Sequence, residues 1–112
     1  MSIVDVRQTD NTVNAILLEQ TSALTLNDGV ANDTLFMGVV ILHNAAAVTA
    51  TIGGFDDEDG DAAPIVFTGN ATAATPSDVS INFGGMGLIN DGGAFTVTAS
   101  VADKVLVMYK KA

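Results

Sequence analysis

Apolar and polar residues alternate with a period of two along most of the chain. Val48, Ala50 and Ile52 alternate with Thr49 and Thr51, Val79, Ile81 and Phe83 with Ser80 and Asn82, and Phe95, Val97 and Ala99 with Thr96 and Thr98. This pattern puts apolar side chains on one face and short polar ones on the other, as a half-buried antiparallel strand requires. Threonine suits the outward positions because a β-branched side chain fits a pleated surface. Eight or nine short strands are expected, beginning near Ile3, Val13, Ala23, Leu35, Val48, Ile65, Val79, Phe95 and Val105. Turn residues separate them: Asn27-Asp28-Gly29, Gly53-Gly54, Asp59-Gly60, Gly69-Asn70, Gly84-Gly85 and Asp91-Gly92-Gly93. No stretch carries a helical period. Asn44 and the three alanines after it allow one turn, but Val48 and Thr49 restore the alternation. The expected fold is an all-β antiparallel sandwich forming a single domain over residues 1–112.

Two runs break the pattern. Residues 35–42 and 105–109 are apolar at both odd and even positions, whereas only one face of a sheet in a two-layer sandwich meets the core. The surplus needs a cover: a loop, the N-terminal segment or another subunit. Leu35, Met37 and Val39 in the first run, and Leu106 and Met108 in the second, are therefore candidate interface residues. Met86, Leu88 and Ile89 join them as apolar residues within a glycine-rich loop. Charged residues make up 15% of the chain, against about 25% in a typical soluble protein. Such a surface carries few strongly hydrated groups to strip when a partner docks. A homo-oligomer is expected.

The charge that is present is one-sided. Net charge is −9, and the basic residues are Arg7, Lys104, Lys110 and Lys111. Phosphate backbones and anionic membranes are held by clustered lysine and arginine, so neither nucleic acid nor a membrane surface is an expected partner. Lys110 and Lys111 read as solvating the end of the last strand. The absence of cysteine removes disulfides, thiolate metal sites and thiol nucleophiles. The first residues lack the basic and apolar regions of a secretory signal, and the longest apolar run is far short of the about 20 residues of a membrane helix. A protein made in the cytoplasm is expected.

Residues 56–61 concentrate five of the thirteen acidic side chains between two candidate strands. Asp57, Asp59 and Asp61 have the spacing of the first three ligands of a calcium loop, but Ala62 stands where that loop needs glycine, and no glutamate follows at its twelfth position. The segment reads as the solvated tip of a hairpin pairing residues 48–52 with 65–68, with calcium as the alternative. His43, the only histidine, reads as a strand-end residue bonded to backbone, not as a general base. No serine lies in a nucleophile elbow. Phe83-Gly84-Gly85-Met86-Gly87 lacks the glycine pattern and the helix of a phosphate cradle. Asn32-Asp33-Thr34 and Asn70-Ala71-Thr72 match the glycosylation sequon by chance. With no tryptophan and one tyrosine, aromatic platforms for carbohydrate are scarce. No catalytic residue and no cofactor is expected.

The segments 47–55 and 63–67 flanking the acidic turn, Phe83-Gly84-Gly85 and the ending 104–109 resemble small all-β proteins encoded among bacteriophage virion genes. In particular they resemble the small decoration, or cement, proteins on the outside of capsids. The resemblance covers about the last two thirds of the chain and lies in its threonine, alanine, glycine and valine alternation. It implies a jelly roll, a homotrimer, binding to the major capsid protein and a place on the capsid exterior. It transfers no functional residue. Another structural virion part (a head-fibre base, a tail component or a receptor-binding tip) and a small calcium- or glycan-binding module are the alternatives.

Overall fold

The computed structural model describes residues 13–69, 79–82 and 87–112. Among the described residues there is no helix. Nine strands follow in order: β1 (Asn14–Leu17), β2 (Leu24–Thr25), β3 (Thr34–Ile41), β4 (Val48–Gly53), β5 (Ile65–Gly69), β6 (Val79–Asn82), β7 (Leu88–Ile89), β8 (Thr96–Ala99) and β9 (Val105–Lys111). They form two sheets, β1-β9-β3-β6 with β7 also paired to β3, and β2-β8-β4-β5. Every pairing is antiparallel. The all-β sandwich expected from the alternation is the observed architecture. The candidate strand near Ile3 lies outside the described residues. β7 was not expected, because Leu88 and Ile89 read as loop.

The core lies between the sheets. Val48, Ala50 and Ile52 from β4 and Val97 and Ala99 from β8 meet Phe36, Val39 and Ile41 from β3 and Val105 and Val107 from β9, all of them buried. Phe36 sits at the centre, with its ring centroid 6.4 Å from Phe55, 5.9 Å from Phe67 and 6.1 Å from Phe95. Tyr109 continues the group, 5.9 Å from Phe95. These tilted arrangements are the ones aromatic quadrupoles favour.

A bulge in β3 decides which residues enter the core. Phe36 pairs with Tyr109 and Gly38 with Met108, so Met37 has no partner on β9. One extra residue reverses the inward and outward parity beyond it. Phe36, Val39 and Ile41 can then all face inward, which strict alternation forbids. This corrects two interface candidates. Val39 is wholly buried in the core, and Met37 is 6% exposed, its sulfur 2.7 Å from where a Cβ on Gly87 would stand. Neither is available to a partner on the protomer's surface.

Candidate functional site

The two sheets carry different chemistry on their outer faces. On the β2-β8-β4-β5 sheet the outward cross-strand neighbours are Thr25 with Thr96, Thr98 with Thr51, Thr51 with Val66, and Thr49 with Thr68. Hydroxyls dominate, as suits a face in contact with water. On the other sheet Leu17 pairs with Leu106 and Leu106 with Val40, while Ala15 pairs with Met108 and Met108 with Gly38. Leu35 lies opposite both Ile89 and Lys110. Leu17, Leu88 and Ile89 are 38%, 38% and 37% exposed, and Leu35, Val40, Leu106 and Met108 are half-buried. Thus of the interface candidates Leu35, Leu106, Met108, Leu88 and Ile89 reach the surface of one sheet or its β7 edge. Met86 lies outside the described residues. Leu17 and Val40 belong to the same face, and sequence reasoning missed both. Val40 was missed because the bulge could not be foreseen, Leu17 because β1 follows no clear alternation.

No acidic side chain occupies these rows, and their one charged member is Lys110. The acidic residues of the described chain instead occupy loops, among them Glu19, Asp28, Asp33, residues 56–61, Asp91 and Asp103. A second copy, itself carrying −9, can approach this face with little like-charge opposition.

The acidic turn closes the β4–β5 hairpin, whose register runs from Val48 opposite Gly69 to Ile52 opposite Ile65. An isolated bridge joins Asp56 to Ala62 beyond the strands. Asp57 organises the tip. Its Oδ1 accepts the N–H groups of Asp59 and Asp61, each at 2.9 Å, and Asp57 N–H donates to the Asp61 carbonyl at 2.8 Å. Gly60 supplies the left-handed residue, φ 82°. Carboxylate oxygens of Asp57, Asp59 and Asp61 come within 4.8 Å of one another, and all three residues are exposed. Asn at all three positions keeps an acceptor at 57 and removes three charges. That triple variant is expected to melt within about 2 °C of the parent in chelator. If calcium raises the parent's melting temperature and not the variant's, the turn is a cation site.

A polar clasp lies beside the acidic turn, in the loop whose Asp91 accepts the Asp56 N–H at 2.9 Å. Asn90 is wholly buried. Its Oδ1 accepts Thr34 N–H at 2.8 Å, and its Nδ2 donates to the carbonyls of Val30 and Gly93 and to Asp33 Oδ1. Asn27 mirrors it, accepting Phe95 N–H at 2.9 Å and Gly29 N–H at 3.1 Å while donating to Asp33 Oδ1 at 2.9 Å. Thr34 Oγ1 donates to the same oxygen at 2.9 Å. The two asparagines thereby tie the β2–β3 loop to the β7–β8 loop. In the sequence they read only as turn residues, since nothing links positions 63 residues apart. The hydrogen bond from Asn27, with those from Thr34 and Asn90, holds the Asp33 carboxyl below its usual range against the opposing effect of desolvation. A depressed folded pKa means that this stabilisation is present above the unfolded carboxylate range and is lost as pH falls through the folded value. Asp33→Asn should therefore flatten the acid limb of a melting-temperature profile below about pH 4. An identical acid limb in the variant would show that Asp33 titrates as it does in the unfolded chain.

His43 is exposed. Its carbonyl accepts the Lys104 ammonium at 2.8 Å, while the imidazole makes no hydrogen bond among the described residues. No protein-family model matches the chain, and no curated protein is significantly similar to it.

Proposed function

We propose that this protein is a non-enzymatic structural component of a bacteriophage virion, a capsid decoration protein that self-associates and binds the outer surface of the shell. The observation that carries the reading is the contrast between a threonine-lined sheet and one whose rows across β1, β9 and β3 are apolar and free of carboxylates. A component that sits among many identical neighbours needs broad contact surface that is cheap to desolvate, and it needs no catalytic group. The strand order supports the reading. With the two-residue β7 set aside, the order β1-β9-β3-β6 and β2-β8-β4-β5 is compatible with a jelly roll, a fold that recurs in capsid proteins. The partners are then further copies of the chain, as a trimer by the resemblance, and the major capsid protein. The protein would be made in the host cytoplasm and end on the capsid exterior.

The test is to mix purified protein with shells that lack it and to measure co-sedimentation. Saturable binding at a fixed number of copies per shell is the expected result. A stable monomer at about 50 µM that leaves shells untouched would overturn the proposal, since a site with a dissociation constant tighter than 1 µM would be almost filled there. The clustered oxygens of Asp57, Asp59 and Asp61 favour a second reading, a calcium-binding module, which the melting experiment above separates from the first.

A further inference from the structure

A cleft of about 260 Å³ opens between the start of β1, the β2–β3 loop, the start of β3 and the end of β9. Its walls include Asn14, Leu26, Asp33, Thr34, Tyr109 and Lys111. At the ~30 Å³ that a water molecule takes up in the liquid, it has room for about nine non-hydrogen atoms. We propose that this cleft binds a small amphoteric molecule, with an ammonium group and a carboxylate on a short spacer, the ammonium on Asp33 and the carboxylate on Lys111.

Three observations carry the assignment. The first is a fixed acceptor. Asp33 Oδ1 takes hydrogen bonds from Asn27, Thr34 and Asn90, and Oδ2 takes none among the described residues. One oxygen anchors the group, which leaves the other for an incoming donor. Because Asn90 is wholly buried and bonded on every side, the anchor is preorganised.

The second is a set of unspent groups. Lys111 lies opposite Thr34 in the sheet register, and its ammonium has no hydrogen bond or ion pair among the described residues. The Asn14 amide and the Tyr109 hydroxyl are likewise unpaired among them. They supply a neutral donor and acceptor beside the two charges, and Leu26 supplies an apolar wall.

The third is the balance of sign. Asp33 and Lys111 line one opening, yet no ion pair joins them among the described residues. A lone anion would meet the Asp33 carboxylate, and a lone cation the Lys111 ammonium. A molecule carrying both charges satisfies both sides at once. The inference does not depend on the assembly reading above.

The experiment is a titration of the full-length protein with glycine and with L-alanine, followed by amide chemical shifts. Methylammonium chloride and sodium acetate serve as single-charge controls. Saturable shifts at Asn14, Asp33, Tyr109 and Lys111 are expected, with a dissociation constant below about 10 mM. The controls, and the variants Asp33→Asn and Lys111→Met, should each bind at least about tenfold more weakly. Lys111→Met removes no hydrogen bond or ion pair among the described residues, so it reports on binding even if Asp33→Asn loosens the clasp. Shifts that stay linear to about 100 mM, equal shifts in Lys111→Met, or equal binding of acetate or methylammonium would each overturn the proposal.

Discussion

Replacing Phe36 with alanine should cost about 4 kcal/mol and lower the melting temperature by roughly 15 °C. Phe36 is wholly buried and lies near 6 Å, centroid to centroid, from three other rings, Phe67 on β5, Phe95 just before β8 and Phe55 in the loop after β4. Truncation removes the transfer free energy of the ring and leaves a cavity that a close-packed core fills only in part. Phe67→Ala is the graded control. That ring packs against the core from the edge strand β5 and is only half-buried, so its removal should cost about half as much. Differential scanning calorimetry checks both. A Phe36→Ala loss below about 1 kcal/mol would mean that the aromatic group is not the centre of the core.

Much of this fold was legible because two-residue periodicity is a strong signal when one face is buried. β4 and β8 read directly from the alternation of Val48, Ala50 and Ile52 and of Val97 and Ala99, and each of those residues is buried as expected. The β4–β5 hairpin followed from Asp59-Gly60 between two alternating runs. β3 was legible as a strand but not in its facing. A bulge at Met37 depends on pairing with β9, about 70 residues away, and no local pattern marks it. The clasp of Asn27, Asp33 and Asn90 was hidden for the same reason. Each residue announces a turn, and only the winding of the chain brings the two turns together. The outer face of the β1-β9-β3-β6 sheet stood between these cases. An apolar surplus was visible in residues 35–42 and 105–109, but Val39 was assigned to it and Val40 was not.

Placing a lysine at Met108 should break self-association while leaving the protomer folded. Met108 lies in the middle of the outer rows, between Ala15 and Gly38 across the sheet and flanked along β9 by Leu106 and Lys110. In an assembly that buries this face, a new ammonium would lie in an apolar contact with no carboxylate on the same rows to receive it. An uncompensated buried charge costs several kcal/mol, enough to weaken association by more than about a hundredfold. On the free protomer the same side chain can reach water along its own stem, so folding stability should change by less than about 1 kcal/mol. Thr98→Lys on the other sheet is the matched control. It introduces the same charge at an outward position of a strand with the same inward packing, and it should leave association intact. Sedimentation velocity at about 50 µM distinguishes the two variants at a concentration where a micromolar complex is largely formed. If Met108→Lys sediments like the parent assembly, this face is not the contact, and the apolar rows need another cover. If Thr98→Lys dissociates the assembly instead, the threonine-lined sheet is the interface, and the contrast between the two outer faces has been read the wrong way round.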